Sequence, residues 1–131
     1  MLILLPPSET KRSGGRSAPL TLGQLALPAL APQRQRAVDA LVELSDDPAE
    51  AARVLKLGSR QLGEIDVNAA LRSAPTMAAV DRYTGVLYDA LAADTLESSA
   101  RRWLGAHVMI HSAPLGPVRK IEMIMKMPQT V

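Results

Sequence analysis

Apolar positions along this chain fall into two kinds of run. The first kind is short and unbroken: Leu2-Ile3-Leu4-Leu5 at the start, and AHVMIHSA over Ala106–Ala113 near the end. A brief continuous apolar run bounded by turn residues predicts a strand buried on both faces inside an α/β sheet. Pro6-Pro7 close the first run, because neither can donate to a ladder and Pro6 holds Leu5 extended. The second run has a β-branched centre and follows Gly105. Parallel pairing is the expected relation between the two, since a long crossover containing helices separates them.

The second kind of run is periodic. From Gln33 to Leu44, Ala37, Val38, Leu41, Val42 and Leu44 recur at helical spacing, with Arg34, Arg36, Asp39 and Glu43 mostly opposite. Asp47 and Pro48 then read as N-cap and first residue of a second helix, with Glu50 in its first turn and Gly58 as its left-handed stop. Ser59 is placed to cap a third helix reaching about Leu71, with Leu62, Ile65, Ala69 and Leu71 inward. Before these helices, Leu20–Leu30 is broken by Pro28 and supports only a helical turn and an extended piece. After them, Met77–Tyr83 fits either a short strand or a helical turn, and Gly85 allows a tight turn into a helix over Val86–Leu91. Asp94 and Thr95 offer caps for a last helix through Glu97, Ala100, Trp103 and Leu104, ending at Gly105. The fold class is α/β, with a mixed α+β arrangement as the alternative: short buried strands linked by several short helices.

Composition narrows this picture. The chain has 131 residues, enough for one domain or part of one, and 47% are hydrophobic while 2% are aromatic. Its core must therefore be aliphatic. A net charge of +2 is too small to mark a dedicated nucleic-acid binder and does not exclude one. There is no cysteine, so disulfides, thiol switches and thiolate metal sites are excluded, and six methionines are a poor substitute for a peroxide-sensing thiol. No run approaches the ~20 apolar residues of a membrane span, and the apolar start is too short for a signal peptide. A cytoplasmic protein without a membrane partner is expected.

Chemistry concentrates after the first strand. Ser8, Glu9, Thr10 and Lys11 stand beyond its carboxyl end, where open α/β sheets bind ligands, although a plain polar loop is the alternative. Arg12 and Arg16 make the following RSGGRSAP segment basic, but neither P-loop nor dinucleotide spacing is present. Tyr83 and Tyr88 are the only tyrosines, and each needs a partner for its hydroxyl when buried. If the two strands are neighbours, Ser112 joins the same edge. Lys56-Leu57-Gly58-Ser59-Arg60 suits either an ordinary αα-hairpin or a turn that offers backbone N–H groups and cations to a DNA phosphate. His107 and His111, placed on one strand, would lie ~13 Å apart, too far to share a metal. No metal site is expected.

Three stretches carry a resemblance. LLPPSETK at the start, Asp81–Leu91 (DRYTGVLYDAL) and, more weakly, Ser112–Arg119 (SAPLGPVR) resemble segments of the YaaA family of bacterial peroxide-stress proteins, particularly its actinobacterial branch. The resemblance spans about residues 1–119 as the amino-terminal part of a YaaA-like domain. It implies a peroxide-stress protein and, through the family's link to a helix–hairpin–helix motif, contacts to double-stranded DNA by Lys56, Gly58, Ser59 and Arg60. The motif usually has two closely spaced glycines in its turn, whereas here only Gly58 is placed there. The family usually continues through an Arg-Pro pair that Arg119-Lys120 does not supply, so residues 120–131 read as a divergent tail not native to the family. That makes the chain an amino-terminal half with a replaced end. Its sheet is then expected to keep an unprotected edge, leading to self-association, or to be covered by Ile121–Met127 in an alternating strand. The alternative functions are an enzyme on an unidentified small substrate, using Ser8, Glu9, Thr10, Lys11, Tyr83 and Tyr88 with Glu9 as base and Lys11 as anion holder, or an inactive remnant. No cofactor is implied.

Overall fold

The computed structural model describes residues 1–119 and the pair Met123–Ile124. Strand β1 (Ile3–Leu5) pairs in parallel with β3 (Val108–Ser112), with Ile3 opposite Val108 and Leu5 opposite Ile110. The pairing expected from the two apolar runs is therefore present, with the helices between them as the crossover. β4 (Gly116–Arg119) returns antiparallel to β3, so the sheet order is β1-β3-β4. A second pair, β2 (Met77–Ala78) with β5 (Met123–Ile124), runs antiparallel. The architecture is mixed α/β.

Six α-helices lie among the described residues: α1 (Ala31–Leu44), α2 (Pro48–Val54), α3 (Gly63–Ala69), α4 (Ala79–Arg82), α5 (Val86–Leu91) and α6 (Ser98–His107). Asp47 caps α2 as its sequence suggests, its carboxylate accepting from the Glu50 N–H at 3.1 Å. Val38, Leu41, Leu71, Val80, Ile110, Leu115, Val118 and Ile124 form an aliphatic core together with both tyrosines. Among the described residues no helix is long and apolar enough to cross a membrane.

Several expectations are corrected. β1 is buried on one side at most: Leu4 and, just before the strand, Leu2 are 56% and 65% exposed, because that face of β1 is left uncovered. The left-handed residue after α2 is Lys56 (φ 53°), while Gly58 is extended. The third helix is broken into a 3-10 turn at Ser59–Gln61 and α3, and Leu62 and Ala69 face solvent while Ile65 and Leu71 are buried. Gly105 does not end α6, which continues to His107. The described part of the tail joins the core, with Ile124 fully buried beside β2, so that pair does not cover β1; Ile121 and Met125 lie outside the described residues.

The largest correction concerns Arg34, and a second arginine, Arg82, is buried in the same way. Arg34, expected on the polar face of α1, is 1% exposed, and its guanidinium donates to the carbonyls of Leu115 (2.7 Å), Ala26 (2.8 Å) and Pro117 (3.2 Å). Arg82 is fully buried and donates to Arg12 (2.7 Å), Gly14 (2.8 Å), Pro75 (3.3 Å) and Ile124 (2.9 Å), all backbone carbonyls. Short elements leave many carbonyls without ladder partners, and a five-donor planar group can satisfy several at once. Burial pulls the Arg82 pKa below its ordinary value. Each charge-assisted bond is worth ~1.5–3 kcal/mol, so Arg82→Met should cost at least ~3 kcal/mol. Arg82→Lys should recover only part, because an ammonium cannot span four carbonyls. Urea unfolding of both variants checks this, and a loss below ~1 kcal/mol would count against it.

Candidate functional site

The Ser8–Lys11 loop meets the tyrosine segment through the backbone. Arg12 N–H donates to the Arg82 carbonyl (2.7 Å) and Thr84 N–H to the Thr10 carbonyl (3.0 Å), which makes Lys11 and Tyr83 antiparallel bridge partners. The Lys11 ammonium stands 5.6 Å from the centroid of the Tyr83 ring. Tyr83 and Tyr88 stack with centroids 5.3 Å apart and planes at 25°. Gly85 (φ 101°) sits against the loop so closely that a Cβ there would come 2.9 Å from Ser8 Oγ and 3.2 Å from Thr10 Oγ1. Those hydroxyls are 3.4 Å apart, and Ser8 Oγ also accepts from the Thr10 N–H at 3.3 Å. Ser8, Thr10, Lys11, Tyr83 and Tyr88 are therefore brought together, and Glu9 is exposed on the same loop.

Both phenols are committed to structure. Tyr88 donates to the Pro6 carbonyl at 2.5 Å, fixing the end of β1, and Tyr83 is buried in the core. Burial raises the Tyr83 pKa, with Ser112 opposing, and burial followed by repulsion from Tyr83 raises that of Tyr88 further. Neither phenol can act as a base near neutral pH. They lie beside the loop that carries Ser8, Glu9, Thr10 and Lys11. A cavity of about 210 Å³ borders both tyrosines and is also lined by Arg12, Asp81, Asp89 and Asp94. The Asp81 carboxylate is paired with Arg101 at 3.1 Å.

Sequence reasoning missed Arg82, Arg12 and Gly85 as organisers of this site. The nearest signal was Gly85 inside the tyrosine segment. Arg82, next to Tyr83, gave none because an arginine is read as outward-facing.

The α2–α3 turn is a separate surface. Lys56, Ser59 and Arg60 are exposed, but the Gly58 N–H already donates to Gln61 Oε1 at 2.9 Å. Gly63 lies inside α3 and contributes no second glycine to the turn. His107 ends α6 with Nδ1 2.8 Å from the Trp103 carbonyl, while His111 is on β3, so the two do not share a strand. Among the described residues no cluster of three or more possible metal ligands occurs.

Comparison with known proteins places the chain. A family model described as Peroxide stress protein YaaA matches residues 1–127, a span that takes in most of the segment expected to be foreign. A UPF0246 protein of Corynebacterium efficiens is 51% identical over 119 residues, covering 91% of this chain and 46% of the relative. A UPF0246 protein of Streptomyces coelicolor is 42% identical over 125 residues, covering 95% and 48%. One from Corynebacterium glutamicum is 47% identical over 100 residues, covering 76% and 40%. The chain thus spans about half the length, or less, of these curated relatives.

The tyrosine pair sets an alkaline limit on stability. A folded-state pKa raised above the unfolded value of ~10 gives stabilisation that is complete below pH ~10 and lost as pH rises through the folded pKa. Unfolding free energy should be level from pH 8 to 9.5 and fall above pH 10, by up to ~1.4 kcal/mol per pH unit for each protected phenol. Tyr88→Phe should flatten part of that decline while lowering stability at pH 8 by ~1 kcal/mol through loss of the Pro6 bond. Urea titrations across this range measure both effects. An alkaline slope unchanged by Tyr88→Phe would contradict the assignment.

Proposed function

We propose, from the premise that this chain belongs to the peroxide stress protein YaaA family, that it serves the oxidative-stress response by contacting backbone phosphates of double-stranded DNA. The observation that supports this is the α2–α3 turn, where Lys56, Ser59 and Arg60 are exposed close together in sequence. Two cations and a hydroxyl on a turn suit phosphate oxygens, and such contacts add affinity without reading sequence. Because Gln61 holds the Gly58 N–H, the contact rests on the Lys56, Ser59 and Arg60 side chains, with Gly58 shaping the turn between them. This role is passive towards peroxide itself, as a chain without cysteine has no thiol to oxidise. A cytoplasmic location accompanies it.

A second reading is carried by the Lys11–Tyr83 bridge, which holds Ser8, Glu9, Thr10 and Lys11 beside the tyrosine stack. There Lys11 holds an anionic small substrate and Glu9 acts as general base. The two readings separate by mutation. Lys56→Glu with Arg60→Glu should weaken retention on duplex DNA of any sequence and reduce the slope of log K against log salt by about two. Lys11→Met should leave DNA retention unchanged. Unaltered salt dependence in the double variant would remove the turn from consideration, and loss of DNA binding in Lys11→Met would move the contact to the other site.

A further inference from the structure

The cavity of about 210 Å³ beside the tyrosine pair has a lining that neither reading of function uses. Its walls come from Arg12, from the α4–α5 segment with Tyr83 and Tyr88, and from the 3-10 turn Ala93–Thr95. Ala92 is left-handed (φ 44°), so the chain turns as α5 ends and Asp94 borders the same cavity as Asp89. Arg101 braces this wall, donating to the Ala93 carbonyl at 2.6 Å and to the Asp81 carboxylate at 3.1 Å. Asp81 is thereby paired, whereas Asp89 and Asp94 are exposed and have no ion-pair partner among the described residues. The Arg12 side chain is likewise exposed and unpaired there, although its backbone is held by the Arg82 carbonyl at 2.7 Å.

We infer that this cavity binds a small zwitterion, a molecule whose ammonium group and carboxylate are joined by a short aliphatic chain. Unpaired carboxylates on Asp89 and Asp94 beside one cavity attract a cation. A metal ion is the poorer occupant, since no group of three or more possible ligands occurs among the described residues. The tyrosine rings with Val80 and Ala93 offer an apolar wall to a hydrocarbon chain instead. Arg12 adds a planar, two-pronged donor of the kind a carboxylate takes. A simple anion would meet two carboxylates, and a simple amine would leave Arg12 facing a like charge. The volume lies below the ~300–1,000 Å³ of sites for drug-sized ligands, so the occupant is a smaller molecule. With its backbone already braced by Arg101 and Arg82, the wall needs little ordering on binding. The site uses neither the Lys56–Arg60 turn nor Glu9 and Lys11, and it stands apart from both readings above.

The test titrates the full, isotope-labelled chain with γ-aminobutyrate, n-butylamine and butyrate, followed by amide NMR. These probes share one carbon-chain length and carry both charged groups, the ammonium alone and the carboxylate alone. Saturable shifts of the Asp89, Ala93 and Asp94 amides are expected with γ-aminobutyrate, at an affinity about tenfold or more above that of either other probe. Asp89→Asn with Asp94→Asn should weaken γ-aminobutyrate by about tenfold or more, and Arg12→Ala should reduce it to the level of n-butylamine. These side chains are exposed, so both variants should fold, which unchanged β3 amide shifts check. Lys56→Glu should leave binding as it is. The inference is overturned if γ-aminobutyrate gives no saturable shift around the cavity, or if n-butylamine or butyrate binds the unmodified chain as tightly. Folded variants that bind γ-aminobutyrate like the unmodified chain overturn it as well.

Discussion

The Arg82 guanidinium gathers four carbonyl oxygens from three separate stretches of chain: Arg12 and Gly14 on one loop, Pro75, and Ile124. Everything around the candidate site leans on that convergence. A chain of helices mostly one or two turns long and strands of two to five residues cannot satisfy its backbone by ladders alone. Carbonyls that end up inside need donors, and an unmet buried acceptor costs ~1–3 kcal/mol. Arg82 meets that demand for the loop after β1, while Arg34 does so for the β3–β4 turn and the segment before α1. The desolvation of each cation is offset by several short, charge-assisted bonds.

The consequence for the site is positional. With the Arg12 and Gly14 carbonyls held inward, the loop is pinned on one side by Arg82 and on the other by the Lys11–Tyr83 bridge. Tyr88 ties the strand end through Pro6, and Tyr83 stacks on Tyr88. Ser8, Thr10 and Lys11 are thus presented from a framework that spans β1, β3 and α4–α5. The α2–α3 turn, by contrast, owes its shape to local features: the left-handed Lys56 and the Gln61 amide over Gly58. One surface is built by long-range contacts and the other by short-range ones.

That difference governs what the sequence revealed. The β1–β3 pairing, α1 and the Asp47 cap follow from periodicity, proline placement and capping chemistry, all of which are local rules. The meeting of the Ser8–Lys11 loop with Tyr83 followed once parallel pairing was assumed. Arg34 was misplaced because amphipathic patterning puts an arginine on the solvent side, Arg82 drew no reading at all, and only the tertiary arrangement of stray carbonyls brings both in. The exposure of Leu4 was missed because an unbroken apolar run does not say whether both faces are covered by this chain. The left-handed residue fell on Lys56 rather than Gly58, where propensity alone places it.

Amide hydrogen exchange tests the central role of Arg82 most directly. If its guanidinium organises the site, the Arg12 and Thr84 amides should be protected to nearly the same degree as those of β3, although they lie in loops. Arg82→Lys should release those two amides first, while β3 stays protected. Fast exchange at Arg12 and Thr84 in the unmodified protein, or protection there that survives Arg82→Lys, would contradict the account.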